Sequence, residues 1–234
     1  MKIEHVKDYP ALSNECTTIM IDTVKQNPCA KLVIATGQSP LEAYRIFVQR
    51  VKKEKIDVSA ATFIKLDEWV GLEPEDPATC EYFIQEELIK PLGITKEHYI
   101  AFCGKAGDLQ GECERIQQEL DRIGEIDLTI LGIGKNGHLG LNEPSDYQFP
   151  LPHVVELDKR TKTHAMLKKT TRSVTRGLTL GMKDILSSKR IVLLVTGAEK
   201  EEAFQVVRKG VVTTKTPASF LNLHRNAVCF TDCL

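Results

Sequence analysis

The chain has 234 residues, of which 42% are hydrophobic and 27% charged, and its net charge at pH 7 is −1. This composition is typical of a globular protein with a well-buried core. The near-zero charge excludes a global field that would attract nucleic acid or an anionic membrane. No apolar run reaches the roughly 18–20 residues of a membrane span, and the N-terminus lacks the apolar stretch of a secretory signal. We therefore expect a cytoplasmic protein without nucleic-acid or membrane partners.

Seven cysteines are spread widely along the chain, with no CxxC pair. An odd number at wide spacings argues against a disulfide framework and against a zinc site. We expect these cysteines to act mainly as small buried hydrophobic residues.

Apolar, β-branched segments alternate with segments whose apolar residues recur at spacings of three and four. The predicted strands are Lys31–Ala35, Thr62–Leu66, Asp127–Gly132, His153–Leu157, Arg190–Thr196 and Ala227–Phe230. The predicted helices are Ala11–Lys25, Pro40–Lys53, Cys80–Ile89, Leu109–Ile123, Thr175–Leu186, Glu199–Lys209 and Ala218–His224. This alternation predicts an α/β fold with a mostly parallel sheet, in a single domain over residues 1–234. Ligands of such sheets bind beyond the carboxyl ends of the strands.

The first candidate site follows the first of these strands, at Thr36, Gly37, Gln38 and Ser39. Backbone N–H groups at a helix N-terminus bind anions, and the two hydroxyls would add donors, so the segment is consistent with a phosphate site. Ser39-Pro40 reads as an N-cap followed by a first-turn proline. A plain strand-to-helix turn explains the same residues equally well.

Two adjacent acids, Asp67 and Glu68, stand at the end of the next predicted strand. Neighbouring residues of a strand point to opposite faces, so we expect these two carboxylates to do different jobs. The alternative is a solvated strand end or a helix-capping acid.

The most informative stretch is residues 131–144, LGIGKNGHLGLNEP, which follows a buried strand. Its GxGxxG spelling matches the dinucleotide fingerprint only formally, because that fingerprint needs a helix after the third glycine and Pro144 prevents one. The loop presents Asn136, His138 and Glu143 within eight residues. An imidazole and a carboxylate on a loop at a strand end are typical of acid–base chemistry, whereas a lone histidine is more often a core residue bonded to backbone.

Two further segments carry weaker signals. Lys200 begins a helix after a late strand, where a bound anion would offset the unfavourable helix dipole, although a solvated surface lysine explains it as well. The basic stretch Arg160–His164 could face an anion or simply be solvated.

Together, in this order, the motifs ATGQSP, LDEWVGL, GIGKNGHLGLNEP and GAEK resemble those of the glucosamine-6-phosphate deaminase/isomerase family. The resemblance covers nearly the whole chain, and its most specific elements are Leu66–Leu72 and Gly134–Pro144. Segments Leu66–Trp69, Gly134–Pro144 and Thr175–Gly181 are most similar to the galactosamine-6-phosphate branch. The resemblance implies a Rossmann-like three-layer sandwich.

The resemblance also implies a reaction on a 2-amino-2-deoxyhexose 6-phosphate that needs no cofactor. His138 would assist opening of the sugar ring, Glu143 would orient that imidazole, and Asp67 would move a proton from C2 to C1, with loss of ammonia. The phosphate would be bound by a set of residues from three segments, namely Thr36, Gly37, Gln38, Ser39, Lys200 and His164. The product would be tagatose 6-phosphate from galactosamine, or fructose 6-phosphate from glucosamine.

Two positions depart from the family pattern. Asn136 stands where the glucosamine enzymes have an Asp, so it lacks the charge that would favour an imidazolium on His138. We expect Asn136 to hydrogen-bond the ring-opening group or the substrate. His164 stands where those enzymes have a phosphate-binding Arg, which would make phosphate binding depend on pH; Arg160 or Arg172 could take over that contact.

Two other interpretations remain open at this point. A 6-phosphogluconolactonase shares the fold and a GxGxxGH loop, but ester hydrolysis needs no base at C2. A sugar-phosphate-binding regulator would keep the pocket without the chemistry. The sequence leaves the sugar epimer and the oligomeric state open, and a homo-oligomer remains one option.

Overall fold

A computed structural model describes residues 1–233. Its strands in chain order are β1 (Lys2–His5), β2 (Lys31–Ile34), β3 (Thr62–Lys65), β4 (Asp67–Trp69), β5 (Tyr99–Ile100), β6 (Leu128–Gly132), β7 (His153–Glu156), β8 (Arg176–Thr179), β9 (Arg190–Val195) and β10 (Ala227–Thr231). Seven of them form a fully parallel sheet in the order β1-β10-β9-β6-β2-β3-β5. The order reverses between β2 and β6, and such a switch point opens a ligand-binding crevice.

The helices in chain order are α1 (Tyr9–Gln26), α2 (Gln38–Glu54), α3 (Cys80–Ile84), α4 (Lys90–Leu92), α5 (Leu109–Ile123), α6 (Met182–Leu186) and α7 (Glu201–Arg208). A π-helical turn, Gln85–Ile89, joins α3 to α4, and Pro217–Leu223 forms a 3₁₀-helix. Helices cover both faces of the main sheet, so the predicted α/β three-layer architecture is confirmed.

The hydrophobic core is divided by the main sheet. Leu32 and Ile34 pack on the face covered by α1 and α2, whereas Val33 packs on the face covered by α5 and α7. This alternation is the period-two pattern of a strand that is buried on both faces. Burial on both faces explains why the sequences of these strands are continuously apolar.

All six predicted strands are present, each within one residue of its predicted bounds. The edge strands β1 and β5 and the short β4 were not predicted. Strands β1 and β5 are short and only half-buried, so their apolar pattern is weak.

The predicted N-cap at Ser39 is wrong. Helix α2 begins at Gln38 and its N-cap is Gly37, whose φ of 102° lies in a region that favours glycine. Pro40 is therefore the third residue of the helix rather than the first. Ser39 is buried and turned towards the crevice, since its Cβ lies 3.7 Å from the position of a Cβ on Gly132.

The predicted helix Thr175–Leu186 is also wrong in its first half. Residues Arg176–Thr179 form β8, the central strand of a three-stranded antiparallel sheet with β4 and β7, and helix α6 begins only at Met182. A Cβ on Gly177 would lie 2.2 Å from Leu141 Cδ1, so the strand packs tightly against the loop after β6. Pairing on both edges therefore overrides the apolar spacing that suggested a helix.

The structure also bears on two expectations drawn from composition. None of the helices within residues 1–233 is long and apolar enough to cross a membrane. Cys16, Cys80, Cys113 and Cys229 are buried, whereas Cys29 and Cys103 are exposed, so the description of the cysteines as buried hydrophobic residues holds for only part of the set.

Candidate active site

A cavity of about 790 Å³ lies over the switch point, at the carboxyl ends of β2, β3, β6 and β9. The predicted phosphate-binding residues all line it: Thr36, Gly37, Gln38, Ser39, His164 and Lys200. Three of the four predicted catalytic residues, Asp67, Asn136 and His138, also line it. Glu143 lies behind His138 instead. The fold thus brings residues from five separate segments into one site.

One end of the cavity is formed by two helix starts. The N-terminal turn of α2 begins at Gly37, and the turn Ala198–Lys200 precedes α7. Backbone N–H groups at such ends attract anions. Burial lowers the pKa of the Lys200 ammonium; the carboxylate of Glu199 opposes this shift and the nearby Lys135 adds to it, which indicates a partly desolvated cation. The arrangement is suited to a phosphate dianion.

His164 borders the same end of the cavity. Its Nε2 lies 3.8 Å from the position that a Cβ would take on Gly37, and its ring packs 5.8 Å from that of Trp69. Burial, together with His138, Lys200 and Lys135, lowers the pKa of His164 to about 4. The imidazole is therefore neutral at pH 7. Arg160 also lines the cavity, whereas Arg172 donates to the carbonyl of Gly71.

A hydrogen-bonded group surrounds His138. Nδ1 of its ring lies 3.2 Å from Glu143 Oε2, and Asn136 Nδ2 donates to the same oxygen at 2.8 Å. The backbone N–H of Asp158 donates to Glu143 Oε1 at 3.1 Å. Burial raises the pKa of Glu143, but the bonds from His138 and its other partners outweigh it and the net pKa is lowered. Glu143 is thus a carboxylate held by several hydrogen-bond donors beside the imidazole of His138.

Asp67 faces the cavity but is only 7% exposed. Burial, followed by the neighbouring charge of Glu68, raises the pKa of Asp67 to about 6. The Cys80 thiol donates to Oδ1 of this carboxylate at 3.6 Å and accepts from the Thr36 hydroxyl at 3.4 Å. A desolvated carboxylate with a raised pKa is a suitable general base near neutral pH.

Glu68 lies on the opposite face of β4 from Asp67, as the alternation of a strand requires, and it contacts backbone N–H groups and a buried lysine instead of the cavity. Its carboxylate accepts from the backbone N–H groups of Trp69, Cys80 and Glu81. The ammonium of Lys65, with a fully buried side chain, lies 2.7 Å from both Glu68 and Glu81. This ion triad ties β3 and β4 to the start of α3 behind Asp67.

The glycine loop does not form a dinucleotide-binding turn. The N–H of Gly134 donates to the carbonyl of His138, and a second turn, Leu139–Asn142, follows in place of a helix. Within residues 1–233, no group of three or more His, Cys, Asp or Glu side chains is placed to hold a metal ion.

Three polar residues of the site, Thr161, Cys80 and Lys65, could not be singled out from the sequence. Thr161 is 3% exposed, and its Oγ1 lies 3.2 Å from His138 Nδ1. The basic stretch Arg160–His164 pointed to this region but not to the threonine itself. Cys80 and Lys65 carried no usable signal, because a cysteine after a loop and a lysine inside a strand acquire their roles only through tertiary contacts.

Comparison with known protein families agrees with this geometry. Residues 8–230 match the model of the family described as glucosamine-6-phosphate isomerases/6-phosphogluconolactonase. The AgaI protein of Escherichia coli (strain K12), which carries a provisional deaminase name, is 43% identical over 97% of this chain and 90% of its own. Glucosamine-6-phosphate deaminase 1 of Bacillus subtilis (strain 168) is 35% identical over 99% of this chain and 97% of its own.

Solved structures share the whole fold. A monomeric glucosamine-6-phosphate deaminase of the NagB superfamily superposes with a TM-score of 0.93 at 33% identity, over 99% of this chain and 97% of that one. A 6-phosphogluconolactonase from Thermotoga maritima has a TM-score of 0.77 at 19% identity, over 98% of each chain. At that identity the second likeness concerns the fold alone.

Proposed function

Because this chain belongs to the glucosamine-6-phosphate isomerase/6-phosphogluconolactonase family, we propose that the described cavity is the active site of a deaminase/isomerase acting on galactosamine 6-phosphate. The enzyme is a deaminase/isomerase of amino-sugar phosphates. The proposal adds the sugar epimer and the role of each residue. Its product is tagatose 6-phosphate, with ammonia released.

The phosphate of the substrate binds at the two helix starts. Backbone N–H groups near Gly37 and Ser39 donate to its oxygens, with the side chain of Gln38 at the same turn. The hydroxyl of Thr36 turns from Cys80 to the phosphate when the anion binds. Lys200 supplies a positive charge, and the imidazole of His164 gains a proton as the dianion binds. This assignment is supported by the shared lining of one cavity and by the lowered pKa of both side chains.

Ring opening is assigned to His138. Since Nδ1 is directed at Glu143, Nε2 is the nitrogen that reaches substrate. It takes the proton of the anomeric hydroxyl and delivers a proton to the ring oxygen as the C1–O5 bond breaks, which leaves an open-chain aldehyde. Glu143 stabilises the imidazolium that forms between the two transfers. Asn136 contributes through Glu143, to which it donates.

The C2 proton is assigned to Asp67. The carboxylate removes that proton to give an enolamine and then returns it to C1, which leaves an imine at C2. Water adds to the imine, and ammonia departs as the ketone forms. Positioning and proton transfer account for the whole sequence.

One observation carries this proposal: a buried carboxylate with a raised pKa shares a cavity with a histidine–carboxylate pair. A 6-phosphogluconolactonase would need a general base for water but no base for a C–H bond. The fold likeness to lactonases leaves that activity as the alternative, and Asp67 favours the deaminase. A sugar-phosphate-binding regulator would not need to keep Asp67, His138 and Glu143 together.

Galactosamine 6-phosphate is preferred to glucosamine 6-phosphate as the substrate because Leu66–Trp69 and Gly134–Pro144 resemble the galactosamine branch. The two sugars differ only at C4, where a few contacts decide selectivity.

The test is an ammonia-release assay with both amino-sugar phosphates, in parallel with hydrolysis of 6-phosphogluconolactone. We expect release from galactosamine 6-phosphate with the higher kcat/KM and no lactone hydrolysis. Asp67→Asn should abolish exchange of the C2 proton with solvent. Lactone hydrolysis without deamination would establish the alternative, and sugar-phosphate binding without any turnover would indicate a regulator.

A further inference from the structure

Thr161 is a buried hydroxyl in an otherwise exposed segment. It begins the 3₁₀ turn Thr161–Thr163, between β7 and β8, and its side chain is 3% exposed while Lys159, Arg160 and Lys162 face solvent. An ordinary surface turn has no need to bury one threonine among charged residues. The buried hydroxyl must have hydrogen-bond partners to offset its desolvation.

Its partner is the ring of His138. Thr161 Oγ1 and Glu143 Oε2 each lie 3.2 Å from His138 Nδ1. The ionised Glu143 carboxylate can only accept, so Nδ1 carries a hydrogen, which the hydroxyl of Thr161 is also placed to accept. Both oxygens near Nδ1 therefore favour a proton on that nitrogen. Nε2 is then unprotonated and turned to the substrate.

The same turn reaches the phosphate end of the cavity. The N–H of His164 donates to the carbonyl of Thr161 at 2.9 Å, so the two residues are linked by one turn of backbone. His164 borders Gly37, the N-cap of α2. An anion at that helix start contacts His164 and thereby acts on the turn that carries Thr161.

We propose that Thr161 is a positioning residue, which holds the tautomer of His138 and couples an anion at Gly37 and His164 to the orientation of that imidazole. The part of this role that concerns turnover rests on the proposed deaminase function. In this enzyme Asn136 provides an amide instead of a second carboxylate beside Glu143, and the hydroxyl of Thr161 supplies an additional contact to Nδ1. Ring opening is thereby favoured when the phosphate group is in place.

The test compares Thr161→Val, which is nearly isosteric but lacks the hydroxyl, with Thr161→Ser, which keeps it. Thr163→Val is the matched control, because that hydroxyl bonds only the carbonyl of Arg160 within its own turn. Long-range ¹H–¹⁵N spectra of the His138 ring are recorded at pH 7.5, with and without inorganic phosphate. We expect the tautomer protonated on Nδ1 to dominate in the wild type, Thr161→Ser and Thr163→Val, and its population to fall measurably in Thr161→Val, where Glu143 alone favours it.

Phosphate should shift the His138 resonances in the wild type and in Thr161→Ser but not in Thr161→Val. In turnover, Thr161→Val should lose about tenfold in kcat, with little change in KM, and Thr161→Ser should recover most of it. Identical His138 spectra in the wild type and Thr161→Val would overturn the proposal, as would a wild-type spectrum that does not respond to phosphate.

The spectra need no turnover, so the two proposals fail separately. If no amino-sugar phosphate is deaminated, the proposed function is wrong while the tautomer result still decides the role of Thr161. If Thr161→Val does not fold, the phosphate response of the wild type and the spectrum of Thr161→Ser decide it.

Discussion

Gly134 and His138 are packed so closely that a Cβ on the glycine would lie 2.3 Å from Nε2 of the imidazole. The imidazole packs directly against Gly134, which has no side chain to displace it. The φ of this glycine is not in the left-handed region. The requirement for glycine here is therefore one of space, which makes it testable separately from backbone strain.

We expect Gly134→Ala to displace the imidazole from Glu143 and to lower kcat by about 10–100-fold, since catalytic groups tolerate little misplacement. Circular dichroism and thermal unfolding should change little, because the change lies in a loop at the cavity wall. Gly107→Ala is the control, because a Cβ there meets nothing within 4 Å. Equal activity of Gly134→Ala and Gly107→Ala would show that catalysis does not depend on the close packing of the imidazole against Gly134.

The raised pKa of Asp67 predicts the pH below which kcat/KM falls. The carboxylate must be ionised to accept a proton from C2, and its pKa in the free enzyme is about 6. We expect kcat/KM to fall as the pH drops below about 6, with a slope of one proton. Steady-state kinetics between pH 4.5 and 8 would measure this, over the range where thermal unfolding shows the enzyme to be folded. A fall in kcat/KM that is centred near pH 4 would mean that Asp67 is not the base.

The same pKa predicts a stability cost for Asp67. Folding raises its pKa from 3.8 to about 6, so ionised Asp67 destabilises the folded state at neutral pH, and protonation relieves this as the pH falls from 6 towards 3.8. Asp67→Asn should therefore increase the free energy of unfolding by about 1–3 kcal/mol at pH 7.5.

Urea unfolding at several pH values would measure this difference, which should shrink on acidification towards pH 4. Asp146→Asn, at an exposed carboxylate, is the control and should change stability little at any pH. A destabilised Asp67→Asn variant at neutral pH would contradict the assigned cost of burial.

His164 predicts pH-dependent anion binding. Burial and neighbouring cations lower the pKa of its imidazole to about 4, and a bound dianion favours its protonated form. Competitive inhibition by sulfate, which stays dianionic, should strengthen as the pH falls from 8 to 5.5. His164→Arg should bind sulfate with a much weaker pH dependence. Parallel inhibition profiles in the two proteins would exclude His164 from the anion site.

The Lys65 triad predicts a large loss of stability when its cation is removed. Lys65→Met leaves Glu68 and Glu81 without their cation, one of them buried, and should cost about 3–5 kcal/mol. Lys189→Met, at a solvent-exposed lysine paired with Asp127, should cost far less, because water screens such a pair.

Lys65 also lowers the pKa of Asp67, so the fall in kcat/KM should move to higher pH in Lys65→Met. Urea unfolding and a pH–rate profile measure the two effects. Comparable losses of stability in Lys65→Met and Lys189→Met would mean that the buried triad contributes no more than a surface pair.

Local patterns in the sequence were sufficient for the five inner strands of the main sheet and for most helices. Continuous apolar runs are buried on both faces whatever surrounds them, and the alternation of strand and helix leaves few topologies for a parallel sheet. The end of each strand then marks one edge of that sheet, which places Thr36–Ser39, Asp67 and the loop with His138 at the same edge. Their assignment to one active site came from the family resemblance.

Tertiary structure decided what local patterns could not encode. Arg176–Thr179 became a strand because β4 and β7 pair with it, and the chain preceding α2 turned at Gly37 rather than at Ser39. The separation of Asp67 from Glu68 followed from strand alternation, but the raised pKa of Asp67 required its burial next to a charge. Thr161 reaches His138 across 23 positions of the chain, and no residue spacing specifies such a contact. Burial and long-range hydrogen bonds set the chemistry of these groups, and both exist only once the chain is folded.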